Sequence, residues 1–122
     1  MINLGSEDTL TKEQKERVLY RHSPSSVKMR ANGADMENAA KLFVERLGSS
    51  HGNVEVLIPT KGYSMVNAED QVLFDQEADA VFVEYLKQHM PAVVPVQTVD
   101  AHLNDATFAA LCTERLLALM NR

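Results

Sequence analysis

Residues 54–64 read V-E-V-L-I-P-T-K-G-Y-S, and this stretch decides the predicted fold. Its first half is a short apolar run with β-branched residues, which is typical of a buried strand, and Pro59 ends the run. Its second half is a polar turn that holds Lys61, Gly62 and Ser64. In an open α/β sheet, ligands bind outside the carboxyl ends of the strands. The stretch therefore predicts the central strand and, directly after it, a functional loop.

Amphipathic helices are predicted on both sides of this strand. Upstream, apolar residues recur at helical spacing over residues 36–47, and Gly48 follows as a helix-ending glycine. Downstream, Asp75 stands at an N-cap position before a second stripe over residues 78–89. A third stripe covers residues 108–120. Each stripe predicts a helix that buries one face.

Three further segments are predicted to be strands. Residues 18–22 and 27–30 flank the turn sequence S-P-S-S, and residues 93–99 follow the second helix. Pro95 cannot donate to a strand ladder, which predicts an edge position or a late start for the last strand.

The predicted order of elements is β-β-α-β-α-β-α. Strands that alternate with helices indicate an α/β fold with a parallel sheet, and we predict a small layered domain of the Rossmann-like kind. Residues 1–17 are polar without a period and are predicted to be an extended lead-in, so the single α/β domain would cover residues 18–122. A sheet of so few strands is thin, and we expect a partner surface along its open edge.

Composition and charge exclude several classes of protein. The chain carries 17 Asp and Glu against 12 Lys and Arg, a formal charge of −5, whereas nucleic-acid binding needs a concentrated basic face. The first residues lack the basic and apolar regions of a signal peptide, and no apolar run is long enough to span a membrane. We therefore expect a soluble, cytoplasmic protein that binds neither nucleic acid nor membranes. The single cysteine, Cys112, is predicted to be a small buried hydrophobic residue.

Two loops follow the predicted parallel strands, at residues 59–73 and 100–104, and should emerge on the same edge of the sheet. A lysine beside a glycine and hydroxyl groups suits an anion such as a phosphate or a carboxylate. The turn at residues 22–26 is a third candidate position. The residues expected to converge are Lys61, Ser64, Asp100, His102, Asn104 and Asp105.

A purely structural interpretation of these residues stays open. Gly62 would then serve only to make the turn, with Lys61 solvated beside it. Asn104 is a good N-cap, and Asp105 matches the helix dipole in the first turn. Of two other histidines, His89 is interpreted as a packing residue and His51 as a turn residue.

The same loops also allow an enzymatic interpretation, a small hydrolase or a metal-dependent enzyme. Asp100 and His102 lie two residues apart, so an extended backbone places them on one side, where they orient an imidazole or offer two metal ligands. Ser64 would complete a nucleophile triad, although it lacks the G-x-S-x-G elbow. The loop also lacks the G-x-x-x-x-G-K-[ST] pattern, which excludes a Walker-type nucleotide loop.

Four motifs occur in the order found in a known family. They are L-Y-R-H-S-P with V-K-M-R at residues 19–30, L-I-P-T-K-G-Y-S at 57–64, F-D-Q-E-A-D at 74–79 and D-A-H-L-N-D-A-T-F-A at 100–109. With these motifs the chain resembles the Tm-one-like ATP-binding family from residue 18 to its end. It departs from the family pattern at Ser23 and Ala31, where the family usually has Asn and Thr.

The resemblance implies a nucleotide-associated protein that uses ATP with Mg. It adds His22, Arg30 and Gly62 to the loop residues as implied ligand-binding positions. Family members are longer and have two α/β halves, so the resemblance places this chain at the carboxyl end of the second half. The expected partners are a small anion or nucleotide, and either the amino-terminal half that the resemblance implies or further copies in a homo-oligomer. The leading hypothesis is thus a ligand-binding or interaction module, and the enzyme is the alternative.

Overall fold

The computed structural model describes residues 1–50 and 53–121 and shows a small mixed α/β domain with two separate sheets. His51, predicted to be a turn residue, lies outside the described residues. Short 3-10 helices occur at Glu7–Thr9 and Met65–Asn67. The strands and α-helices in chain order are β1 (Ile2–Leu4), α1 (Lys12–Lys15), β2 (Leu19–Ser23), β3 (Ser26–Met29), α2 (Gly33–Leu47), β4 (Val56–Pro59), α3 (Gln76–His89), β5 (Val96–Val99) and α4 (Ala106–Met120).

The predicted central strand is β4, which pairs in parallel with β5 and is connected to it through α3. The pairing ends with Pro59 opposite Val99, so both strands finish level at one edge. β5 begins only at Val96, because Pro95 has no N–H to donate, although its carbonyl accepts a hydrogen bond from Val56 N at 2.9 Å. The predicted late start of this strand is therefore confirmed.

The prediction of a single parallel sheet is wrong for the first strands of the chain. β1, β3 and β2 form a separate antiparallel sheet in that order. Only the two residues Pro24 and Ser25 connect β2 to β3. A connection this short reverses the chain direction, whereas a parallel pair needs a crossover of a dozen residues or more. The parallel sheet therefore has two strands among the described residues.

The predicted lead-in, residues 1–17, supplies one strand of the antiparallel sheet. β1 pairs with β3, and Ile2 lies opposite Met29. A capping box between Thr11 and Gln14 then starts the short helix α1. No sequence pattern indicates β1, because three residues are too few to show the alternation of a strand.

The main core lies between the parallel strands and the helices α2 and α3. Its buried members are Ala40, Ile58, Val83 and Leu86. Asp75 caps α3 as predicted, since its carboxylate accepts a hydrogen bond from Ala78 N at 3.0 Å. Gly48 ends α2, also as predicted, but with right-handed backbone angles instead of the left-handed ones that favour glycine.

The last helix, α4, leaves much of its apolar stripe exposed. Phe108 is buried, and the Arg115 guanidinium donates two hydrogen bonds to the Glu55 carboxylate on the chain before β4, at 2.9 and 2.8 Å. Cys112 is only partly buried, so the prediction of a buried cysteine is wrong. Three large side chains are more than half exposed, and we call them the α4 face: Leu116, Leu117 and Met120.

Helix length also bears on the membrane prediction. The longest helices, α2 and α4, have 15 residues each, whereas a membrane span needs about 20. Among the described residues, no helix is both long and apolar enough to cross a bilayer.

Candidate functional site

The loops after β4 and β5 lie side by side at one edge of the parallel pair, as the sequence predicts. Backbone hydrogen bonds continue the pairing past the strand ends and join the two loops to each other. They are Thr60 N to Val99 O at 2.9 Å, Lys61 N to Ala101 O at 2.9 Å and Leu103 N to Gly62 O at 3.0 Å. We call this pair of loops, residues 60–64 and 100–105, the loop edge.

Lys61 and Asp100 form an ion pair on the outer surface of the loop edge. Lys61 Nζ lies 3.1 Å from Asp100 Oδ2, and the two side chains are 58% and 84% exposed. Exposed pairs of this kind contribute about 0–1 kcal/mol to stability, because water screens both charges. The Lys61 ammonium group is therefore held only weakly beside the Asp100 carboxylate, and it can exchange this carboxylate for another anion.

Gly62 is required at the centre of the loop edge for two reasons. Its φ of 124° lies in a region that side-chain-bearing residues rarely adopt. A Cβ at this position would also lie 2.8 Å from the Asn67 carbonyl oxygen and 2.9 Å from His102 Cδ2. The structural role predicted for this glycine is confirmed, and the close approach ties the turn to His102.

His102 is fixed by hydrogen bonds at both ring nitrogens. Asn104 N donates to Nδ1 at 3.1 Å, so the ring proton lies on Nε2, which donates to the Ser64 carbonyl oxygen at 3.1 Å. The imidazole therefore bridges the two loops through backbone groups. In the described residues it bonds neither Ser64 Oγ nor Asp100, so the loop edge does not assemble the proton-transfer chain of the hydrolase alternative.

The residue that caps the start of α4 is not the one that the sequence predicts. Asp105, one residue after Asn104, is the N-cap, and its side chain makes no capping bond to the helix. Its carboxylate instead accepts a hydrogen bond from His102 N at 2.8 Å. Asp105 thus holds the loop in place, because the carboxylate satisfies a loop N–H that the sheet leaves unpaired.

Arg30, at the end of β3, is buried behind the loop edge in a network of polar side chains. Its Nη2 donates to Asp79 Oδ1 at 2.6 Å and to the Asp75 carbonyl oxygen at 2.8 Å. Asn67 Nδ2 donates to the other Asp79 oxygen at 3.1 Å, and Asn67 Oδ1 accepts from Tyr63 N at 2.8 Å. The network connects the antiparallel sheet, α3 and the loop after β4.

Sequence reasoning missed Asp79 and Asn67 as site residues. The sequence does contain a feature that could have indicated Asp79. This residue lies at helical spacing before Val83 and Leu86, on a face of α3 that is otherwise apolar and buried. An acid on such a face needs a buried partner. No sequence pattern indicates Asn67, whose role depends on two backbone groups of its own loop, at Tyr63 and Leu73, and on the Asp79 carboxylate of α3.

Tyr63 and Ser64 face the interior more than the solvent. Burial, followed by the nearby Asp79 carboxylate, raises the pKa of Tyr63 to about 12, so its phenol stays protonated. Ser64 Oγ is buried and hydrogen-bonds to no described protein group. The Ser64 hydroxyl therefore does not lie with Lys61 on the outer surface of the loop edge.

His22 is placed apart from the other predicted site residues. It lies on β2, where the register with β3 shifts between Arg21 and Ser23, and its side chain is exposed. Its ring meets the Tyr20 ring edge-on, with 6.1 Å between centroids. In the described residues no hydrogen bond or ion pair connects the His22 side chain to the loop edge.

The described residues contain no group of three or more His, Cys, Asp and Glu side chains that could hold a metal ion. At the loop edge the metal-binding groups are single carboxylates beside a lysine. This arrangement offers one or two oxygen ligands, which is too few for a site built from protein groups alone.

Comparison with known proteins finds one matching family model and several related proteins. The family model "Uncharacterised protein family (UPF0261) C-terminal domain" matches residues 1–120. A UPF0261 protein of Clostridium tetani is 28% identical over all of this chain and 30% of its own length. A UPF0261 protein of Mesorhizobium japonicum is 32% identical over 89% of this chain and 28% of its own length. The tomato ToMV resistance protein Tm-1 is 26% identical over 98% of this chain and 16% of its own length. The chain thus spans less than a third of the length of these relatives.

Proposed function

We propose that this chain, which belongs to the UPF0261 C-terminal domain family, is the ligand-binding module of a longer two-half protein. The ligand is ATP with Mg, bound through its phosphates at the loop edge. The observation that carries the proposal is the junction of the two loops, which brings Lys61 and Asp100 to the carboxyl ends of parallel strands.

The chemistry of the loop edge suits a magnesium-bound phosphate better than a free anion. The Lys61 ammonium is a point charge of the kind that binds phosphate oxygens. Asp100 offers a carboxylate next to it, and Mg²⁺ in nucleotide sites commonly takes one or two carboxylates together with substrate phosphates. A phosphate would therefore replace Asp100 as the lysine's partner, while the metal occupies the carboxylate.

Replacing Lys61 with alanine should weaken the binding of Mg-ATP about tenfold to a hundredfold, because a charge-assisted hydrogen bond contributes about 1.5–3 kcal/mol. The free energy of unfolding should change by no more than about 0.5 kcal/mol, since the side chain is exposed. Isothermal titration calorimetry measures the first quantity, and denaturant unfolding measures the second. Lys41→Ala, a lysine on α2 with an exposed Glu37 partner, is the matched control and should leave the affinity unchanged.

Separate titrations with Mg²⁺, Mn²⁺ and Zn²⁺ in the absence of nucleotide test the alternative function. Tight uptake of any of these ions alone would favour the metal-dependent enzyme and contradict the proposal. Failure of the wild-type chain to take up Mg-ATP, or equal affinities for wild type and Lys61→Ala, would also contradict it.

We further propose that the two-stranded parallel pair belongs to a larger, Rossmann-like layered sheet in the full-length protein. Both of its strands are edge strands in the described residues, and exposed edges of this kind are normally covered. The α4 face lies exposed beside the same pair, because Arg115 of α4 bonds to Glu55 directly before β4. The missing half of the protein, or a second copy of this chain, would cover both surfaces.

For the isolated chain we expect a homodimer that buries the α4 face, since two-fold dimers are the commonest oligomers. Light scattering during size-exclusion chromatography should give twice the chain mass of 13.6 kDa at high concentration. Leu116→Glu with Leu117→Glu should shift the mass to that of the monomer, because two charges would be buried in the interface. Leu42→Glu, on the exposed side of α2, is the control and should leave the dimer intact. A monomer mass at every concentration would contradict the expectation.

A further inference from the structure

His102 is a partly buried side chain that connects the two loops of the loop edge. Its Nε2 donates to the Ser64 carbonyl oxygen at 3.1 Å, and its Cδ2 would lie 2.9 Å from a Cβ at Gly62. The chain from Gly62 to Ser64 therefore follows one edge of the imidazole ring. The ion pair of Lys61 with Asp100, by contrast, lies on the outer surface.

The surroundings of the other ring nitrogen decide which tautomer His102 adopts. Asn104 N donates to Nδ1 at 3.1 Å, and a ring nitrogen that accepts a hydrogen bond carries no proton. The proton of the neutral imidazole is then on Nε2, where the bond to the Ser64 carbonyl oxygen needs it. Asp105 fixes the backbone of His102 as well, since its Oδ2 accepts from His102 N at 2.8 Å and its N–H donates to His102 O at 3.0 Å.

Neither ring nitrogen of His102 is left for a ligand, because both are engaged by backbone groups. The ring can still determine where the ligand-binding groups lie. Backbone hydrogen bonds join the two loops as far as Gly62, and the His102 bond extends the junction to Ser64. The exposed pair of Lys61 with Asp100 contributes little to stability, so it does not hold the loops together by itself.

We infer that His102 is the positioning residue of the loop edge. Its Nε2–H tautomer joins the two loops and so sets the position of Lys61 relative to Asp100, without contact between the imidazole and the ligand. The part of this inference that concerns Mg-ATP rests on the proposed function, whereas the part that concerns the two loops does not. A weaker junction lowers the fraction of chains in which the site is formed, and the apparent affinity falls by that fraction.

Two replacements of His102 each keep one of its two ring hydrogen bonds. His102→Gln has an amide nitrogen as many bonds from Cβ as Nε2, so it can still donate to the Ser64 carbonyl oxygen. His102→Asn has an amide oxygen as many bonds from Cβ as Nδ1, so it accepts from Asn104 N but does not reach Ser64. Each variant loses one hydrogen bond, and the urea midpoints of both should shift to the same small extent. A purely structural role would leave the two variants alike in every other measurement too.

Hydrogen exchange of the free chain, followed by NMR, separates the two variants. The Leu103 amide donates to Gly62 O, and it should exchange about twofold to tenfold faster in His102→Asn than in wild type. In His102→Gln it should exchange at nearly the wild-type rate. The Mg-ATP affinity should follow the same order and fall about twofold to tenfold in His102→Asn alone. His89→Asn is the matched control and should change neither quantity, since the exposed His89 ring bonds to the Tyr85 carbonyl oxygen of its own helix.

Nitrogen NMR of the imidazole at about pH 8, where an ordinary histidine is neutral, should show the His102 proton on Nε2. A proton on Nδ1, or equal Leu103 exchange rates in His102→Asn and His102→Gln, would overturn the inference. Equal Mg-ATP affinities of these two variants, with binding by wild type, would overturn it as well. Failure of wild type to bind Mg-ATP would contradict the proposed function alone, because the exchange rates are measured without nucleotide.

Discussion

Asp79→Ala should lower the free energy of unfolding by about 3–5 kcal/mol, the cost of breaking a buried ion pair by removing one partner. Asp79 accepts hydrogen bonds from Arg30 at 2.6 Å and from Asn67 at 3.1 Å, and its side chain is 15% exposed. Without the carboxylate, the Arg30 charge stays buried with only a backbone carbonyl as its partner. Urea unfolding followed by circular dichroism measures the loss.

Two comparisons show whether the buried charge is the cause of this loss. Glu37→Ala breaks the exposed pair with Lys41 on α2 and should cost no more than about 0.5 kcal/mol. The double replacement Arg30→Met with Asp79→Leu should recover much of the stability lost in Asp79→Ala, because it leaves no unpaired charge in the interior. A loss in Asp79→Ala no larger than in Glu37→Ala would show that the network contributes little to the fold.

Gly62→Ala should lower the free energy of unfolding by about 2–6 kcal/mol. Strained backbone angles cost about 1–3 kcal/mol, and the φ of Gly62 is 124°. Overpacking adds about 1–3 kcal/mol, because the new methyl group would lie within 3 Å of both the Asn67 carbonyl oxygen and His102. The same clash should separate the two loops, so the backbone amide signals of residues 102–104 should move in NMR spectra.

Gly33→Ala is the matched control for this prediction. A Cβ at Gly33 would meet Val81 Cγ2 at 3.7 Å, an ordinary contact, and Gly33 has no positive φ. The variant should be as stable as wild type or gain up to about 1 kcal/mol, since alanine restricts the unfolded chain. Equal stabilities of Gly62→Ala and Gly33→Ala would mean that the loop edge adapts to a side chain.

The local features of this chain could be predicted from its sequence. From β2 onward the element order is the predicted β-β-α-β-α-β-α, and Asp75 caps α3. The late start of β5 follows from Pro95 alone. Each of these features depends on residues within one or two helical turns of each other, so a local sequence pattern is sufficient to predict it. The meeting of the two loops was predictable as well, because parallel strands connected through a helix finish at the same edge.

Only the tertiary structure decided which strands pair and where buried side chains point. β3 pairs with β2 and with β1 from the predicted lead-in, and neither β2 nor β3 pairs with β4, which makes two sheets where one was predicted. Arg30 meets Asp79 across 49 positions of sequence, and the Ser64 hydroxyl is buried whereas the Lys61 side chain is exposed. The α4 face stays exposed although its stripe has the pattern of a buried helix. A periodic pattern specifies that a face is apolar, but the choice of its partner depends on contacts between segments that are distant along the chain.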